Sequence, residues 1–275
     1  MRIAVVAPSR MLPQDAVTIL ESVQKSDPRF SDLDVEIAAQ CFLQSGHFAG
    51  SDQERASALI EAANDPEIDA VWFARGGYGA GRIIDLVLPK LNDAAKQKTY
   101  VGYSDAGYLL AALHRAKIGR CVHGPMVADG LRNDGAQALR RVLDWFVDGL
   151  DENIEPRTQE KGAFAFNTMI LASLAATPYL PHTDGEVLMI EEVGEHLYAF
   201  DRALLTAFAS GRFANLKGLY LGRVSDIPEN DIPFGRTPEK IVQDWCCRYD
   251  VPYLGRADIG HDVRNQIVPF PDHGQ

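Results

Sequence analysis

Ser104 stands where an apolar, strand-like run, Tyr100-Val101-Gly102-Tyr103, breaks off and a helix-like run, Tyr108-Leu109-Leu110-Ala111-Ala112-Leu113, follows. A hydroxyl at a strand-to-helix turn projects clear of the backbone, and the first N–H groups of the helix are free to face an oxyanion. Acyl transfer needs both features. The G-x-S-x-G pattern of a nucleophile elbow is half met: Gly102 fits, and Ala106 occupies the place of the second glycine. A serine there can also cap the helix, and these residues taken alone favour the cap. Upstream, Arg75-Gly76-Gly77-Tyr78-Gly79-Ala80-Gly81 follows another apolar run, and its adjacent glycines can aim N–H groups at an anion. Both nucleotide readings of this loop are weak. Arg82 stands where G-x-G-x-x-G needs its third glycine, and Arg82 and Ile83 replace the lysine and hydroxyl residue of a P-loop.

A serine nucleophile requires a base and a group to orient it. Glu191 and Glu192 follow the apolar run 187–190, where a carboxylate can face a crevice; Glu192 reads as a solvated charge. Of the seven histidines, His47, His114, His182 and His196 lie in polar or helical surroundings that suggest the surface, and His273 is almost terminal. His123, after a buried strand, and His261, in a loop after a probable strand, rank equally as base. The close groupings Cys121 with His123, and His182 with Asp184 and Glu186, match no zinc spacing, so neither a metal nor a cofactor is expected. Arg75, Arg256 and Arg264 could clamp a substrate carboxylate, although a loop guanidinium is more often simply solvated.

The elements that must hold these residues read as an alternation. Apolar strands at 3–7, 33–37, 70–74, 100–103 and 120–123 are interspersed with helical spacing at 53–63, 83–88 and 108–115, and a helix at 139–147 follows. This predicts an α/β fold, a doubly wound, mostly parallel sheet with its ligand crevice at the carboxyl ends of the strands. A polar, turn-rich stretch at 148–153 predicts a boundary, dividing the chain into domains 1–150 and 151–275. The second half shows helices at 168–176, 197–208 and 238–249 and strands at 187–190, 219–221 and near Leu254 and Ile267. It has no clean βαβ rhythm and reads as α+β.

With 46% hydrophobic residues over 275 positions the chain can bury a large core. A net charge of −11 argues against nucleic acid and anionic membranes as partners. No apolar run approaches the length of a membrane span, the start lacks a signal-sequence pattern, and four cysteines without C-x-x-C spacing suggest reduced, mostly buried thiols. The expected compartment is the cytoplasm.

Taken together, the stretches 48–82, VGYSDAG at 101–107, HGP at 123–125, LMIEEVGEHLYAFDRAL at 188–204 and IGHDVRN at 259–265 resemble the LD-carboxypeptidase family of serine peptidases, the muramoyltetrapeptide carboxypeptidases, whose relatives include microcin C self-immunity peptidases. The resemblance implies a Ser104–His261–Glu191 triad between an N-terminal α/β domain and a C-terminal domain, with the backbone N–H groups of Gly77 and Asp105 as oxyanion hole. Gly76 and Asn167 fall among the implied substrate-binding positions. The implied activity is hydrolysis of an L,D-peptide bond in a cytoplasmic murein tetrapeptide, releasing D-alanine for cell-wall recycling, by a protein that the family suggests is a homodimer. Two alternatives are a microcin C-type peptide–nucleotide amidase and a non-catalytic ligand-binding protein. Two departures bear on the substrate. Ala165-Phe166-Asn167 makes the wall near Asn167 bulkier than in the family, and Pro269-Phe270-Pro271 runs on to Gln275, leaving no room for a last strand.

Overall fold

The computed structural model describes residues 1–149, 151–158 and 162–272. Leu150, at the expected boundary, and His273 lie outside the described residues.

The first sheet has the order β10-β5-β4-β3-β1-β2. Its centre is four short parallel strands, β1 (Arg2–Val6), β3 (Ala70–Phe73), β4 (Thr99–Gly102) and β5 (Arg120–His123), whose residues are almost all buried. Continuous apolar runs suit strands covered on both faces. The edge strand β2 (Asp34–Ile37) alternates between exposed and half-buried residues. Ala70 and Trp72 face one side, against helices α1 (Gln14–Lys25) and α5 (Ala136–Asp148). Val71 and Phe73 face the other, against α2 (Asp52–Asn64), α3 (Ile84–Val87) and α4 (Gly107–Arg115).

Helix α1 lies between Ser9 and Leu33, a stretch for which the sequence predicts no element, and buries Ala16, Val17, Leu20 and Val23 at helical spacing. The helix expected at 83–88 keeps only the four residues of α3 as α-helix, because Pro89 cannot donate to the next turn.

The second half corrects the α+β expectation. β6 (Phe164–Asn167), β7 (Val187–Val193), β8 (Gly218–Ser225) and β9 (Tyr253–Arg256) form a wholly parallel four-stranded sheet. Helices α6 (Thr168–Leu174), α7 (Leu197–Ala209) and α8 (Pro238–Arg248) connect successive strands. The rhythm was masked by a four-residue β6 and by long polar connections on the way to β7 and from β8 to α8. The chain then returns to the first sheet, where β10 (Val268–Pro269) pairs antiparallel with β5. A short last strand therefore does form, fastened by Phe270 N–H to the Cys121 carbonyl at 2.9 Å. No helix of the described residues is long and apolar enough to cross a membrane.

Candidate active site

Ser104 sits immediately beyond β4 with φ of +57°, the left-handed region that a residue with a Cβ enters only under constraint. A single 3₁₀ turn over Ser104–Ala106 then feeds α4. Gly102 is needed in this elbow because a Cβ there would lie 2.7 Å from the Phe73 ring. The same Cβ would approach that of Ala106 to 3.3 Å, so the missing side chain at 102 is what lets alanine stand in for the second glycine.

The Ser104 hydroxyl does not cap the helix. It faces His261 Nε2 at 3.0 Å, and His261 Nδ1 lies 2.6 Å from Glu191 Oε2. Glu191 is fully buried in β7, and only 9% of the His261 side chain is exposed. Burial alone would lower the His261 pKa, but the Glu191 carboxylate more than offsets it, and the net shift is upward. With Nδ1–H donated to the carboxylate, Nε2 is left as the acceptor for the serine hydroxyl. Such a chain can move a proton from Oγ to the ring and hold the resulting imidazolium.

His123, the rival base, is completely buried, its pKa lowered by desolvation, and its Nε2 lies 3.0 Å from Asn265 Oδ1. The same Asn265 oxygen accepts the Gly260 N–H at 3.1 Å, so His123 supports the His261 loop from below. Among the histidines expected at the surface, His47 and His182 are exposed; His114 and His196 are half-buried, with His114 Nε2 2.9 Å from the Pro271 carbonyl.

Glu192 is not a solvated charge. β7 continues to Val193, so the residue lies inside a covered strand and is 2% exposed, and desolvation raises its carboxyl to about 7. Its partners are Asn167 Nδ2 at 2.6 Å and the N–H groups of Met169 and Val193 at 3.0 Å. Asn167 Oδ1 in turn caps α6. That leaves Asn167, 7% exposed and in register with Glu191 on the neighbouring strand, bound to its own half of the fold and not among the residues lining the cleft beside Ser104. Phe166 is likewise no pocket wall: it is buried against Phe270 and close to Gly107.

The cleft over Ser104 has a volume of about 270 Å³, and Gly76, Gly77, Met126, Asp129 and His261 are among its walls. Gly77 adopts φ of +117°, and a Cβ on Gly76 would lie 3.0 Å from Ser104 Oγ. The Asp105 carboxylate turns inward, accepting from the Ser9 hydroxyl and from Ala80 N–H at 2.8 Å, which ties the elbow to the end of the glycine loop. Burial pushes that carboxyl up. Arg75 lines the cleft, whereas Arg256 and Arg264 do not. Sequence reasoning missed Arg10, Tyr103, Asp129 and Arg132. The Tyr103 hydroxyl and Arg132 Nε both donate to Asp129 Oδ1, at 2.8 and 2.9 Å, and the Tyr103 ring lies under that of His261 with centroids 4.8 Å apart. No local motif announces this group, which only the packing of the turn at 126–132 against the elbow assembles. Among the described residues no cluster of His, Cys, Asp or Glu could hold a metal ion.

The LD-carboxypeptidase N-terminal domain matches residues 3–124 and the LD-carboxypeptidase C-terminal domain matches residues 164–273. A putative carboxypeptidase of Streptomyces coelicolor is 35% identical over 98% of this chain and 88% of its own length. The chain belongs to the LD-carboxypeptidase family. Within it, the murein tetrapeptide carboxypeptidase of Pseudomonas aeruginosa is 27% identical, covering 98% of this chain and 91% of that protein. The crystal structure of muramoyltetrapeptide carboxypeptidase from Oxalobacter formigenes superposes with a TM-score of 0.80 at 26% identity, over 98% of this chain and 93% of that one. The two-sheet architecture is thus that of the LD-carboxypeptidase family, and the hydrogen-bonded serine, histidine and glutamate lie where its two halves meet.

Proposed function

We propose that the protein is a serine carboxypeptidase that hydrolyses an L,D-peptide bond and releases terminal D-alanine from cytoplasmic murein tetrapeptide during cell-wall recycling. The observation that carries this reading is the unbroken Glu191–His261–Ser104 hydrogen-bond chain in a member of the LD-carboxypeptidase family. Ser104 Oγ attacks the carbonyl carbon while His261 Nε2 takes its proton. The N–H groups of Gly77 and Asp105 stabilise the oxyanion, and Glu191 stabilises the imidazolium. Collapse of the tetrahedral species breaks the C–N bond, and His261 returns the proton to the leaving amine. Water, deprotonated by the same imidazole, then attacks the acyl-enzyme, and Ser104 recovers its proton as the shortened peptide leaves. On this reading residues 1–150 carry the nucleophile and 151–275 carry the base and its carboxylate. Free thiols at Cys41, Cys121, Cys246 and Cys247, the first three buried, support a reducing compartment. A homodimer belongs to the same reading and rests on the family likeness alone.

The test is mass-spectrometric detection of D-alanine released from murein tetrapeptide, with Ser104→Ala run in parallel. Release by the wild type and none by the variant is expected. Faster cleavage of an aminoacyl-sulfamoyl adenylate than of the tetrapeptide would replace the murein assignment with a peptide–nucleotide amidase.

A further inference from the structure

The cleft beside Ser104 contains three arginines, Arg10, Arg75 and Arg132, and one carboxylate, Asp129. Arg132 is matched to that carboxylate, Nε to Oδ1 at 2.9 Å. Arg10 and Arg75 make no ion pair among the described residues; Arg75 Nη1 reaches only the Met11 carbonyl, at 3.1 Å. Asp129, the one carboxylate lining this cleft, is already engaged by Arg132 and by the Tyr103 hydroxyl, so neither Arg10 nor Arg75 has an acidic partner in the cleft they line. Burial, and then the proximity of Arg10, lower the pKa of Arg75 without discharging a guanidinium. The half-buried Arg75 and the exposed Arg10 thus bring two like charges to one cleft, an arrangement that an anion relieves.

The position of the pair relative to the nucleophile says which anion. A Cβ on Gly76 would touch Ser104 Oγ, and a Cβ on the next residue, Gly77, would overlap the Cδ of Arg10. The stem of Arg10 therefore crosses the glycine loop one residue from the point that touches the hydroxyl, and Arg75 precedes Gly76 directly. In a peptide losing its last residue, the terminal carboxylate lies one residue beyond the attacked carbonyl, about 4 Å away.

We propose that Arg10 and Arg75 bind the free α-carboxylate of the departing residue, forming the subsite that restricts cleavage to the last peptide bond. The assignment rests on the hydrolase reading for its direction, because only acyl transfer to Ser104 defines a departing residue. The ligand class is a peptide with an unblocked C-terminus. A carboxylate accepts charge-assisted, bidentate hydrogen bonds from guanidinium groups, whereas an internal peptide bond brings a neutral amide and leaves both cations unpaired.

The experiment separates binding from turnover. Ser104→Ala is titrated calorimetrically with murein tetrapeptide and with its C-terminal carboxamide, alone and combined with Arg10→Gln, Arg75→Gln or Arg75→Lys, each variant first checked for an unchanged melting temperature. The free acid should bind about 100-fold more tightly than the carboxamide, from two charge-assisted contacts. Either glutamine substitution should remove most of that preference without weakening carboxamide binding, and Arg75→Lys should restore part of it. Equal binding of acid and carboxamide, binding of neither, or arginine variants that weaken both equally would overturn the subsite. D-Alanine release by the wild type with no acid preference would sink the subsite and spare the hydrolase. An arginine-dependent acid preference without any release would do the reverse.

Discussion

His261 is balanced between two opposing effects: desolvation favours its neutral ring, and the Glu191 carboxylate 2.6 Å away favours the imidazolium and prevails. A base must be neutral to accept the Ser104 proton, so activity should fall as pH drops through a His261 pKa that is raised above the ordinary histidine value. In Glu191→Gln the source of the upward shift is gone. The acid limb of kcat/KM against pH should then move to lower pH while the maximal rate falls by about 10³–10⁴-fold, since the tautomer is no longer held. An acid limb that stays in place in the variant would mean that another group controls it. At this scale the sequence announced Ser104 through the break from strand to helix but could not separate nucleophile from cap, because both uses put a hydroxyl at the same turn. Nor could it choose between His123 and His261. They stand at comparable strand ends, and the difference lies in which one the second half brings to Oγ.

Two elements carry predictions of their own. The glycine loop closes on the nucleophile, and Gly76→Ala would place a methyl 3.0 Å from both Cβ and Oγ of Ser104. That variant should lose about 100-fold in kcat with little change in melting temperature, because a displacement of about 1 Å is enough to spoil attack geometry. Wild-type kinetics from Gly76→Ala would show that the loop is not in contact with the reacting atoms. In β7, desolvation raises the Glu192 carboxyl from its ordinary value of about 4.5 to about 7. The folded state then binds the proton more tightly than the unfolded chain. Its contribution to stability is full below about pH 4.5 and is lost as pH rises through about 7, on the order of 3 kcal/mol. Thermal melts at pH 5 and pH 8 should show a smaller drop in Glu192→Gln than in the wild type; equal drops would contradict the account. The strands of the first sheet were legible because apolar runs of four or five residues bounded by turns have few other uses. The length of β7 was not, since charged residues normally end a strand, and only the cap of α6 explains a buried carboxylate there. Helix α1 was legible in principle, its apolar positions separated by a wholly polar face.

The two halves share one core. Residues of α2 and α4, the aromatic group Phe164, Phe166 and Phe270, and the faces of α7 and α8 belong to a single buried cluster, so the sheets are held in fixed relation across the cleft. The His261 loop is gripped from both sides. Arg223 of β8 pairs with Asp258 and Asp262, Arg141 of α5 donates to the Val263 carbonyl at 2.8 Å, and Asn265 joins Gly260 to His123 of β5. Asn265→Ala leaves a buried imidazole N–H and a buried backbone N–H unpaired, which should cost about 2–3 kcal/mol of stability. It should also reduce kcat by at least about 10-fold through misplacement of His261, and a melting temperature and rate both equal to wild type would remove the loop-anchoring role. This junction was beyond the sequence, because the contacts that tie the loop to the first half, His123 to Asn265 and Arg141 to Val263, join residues 142 and 122 positions apart that share no pattern. The claim on which the rest depends is that Ser104 is an activated nucleophile. Intact-mass spectrometry after exposure to a fluorophosphonate, followed by peptide mapping, examines it directly. The account predicts one adduct, on Ser104, that becomes much slower to form in His261→Ala; a folded wild-type protein that remains unlabelled, or is labelled on another residue, would contradict it.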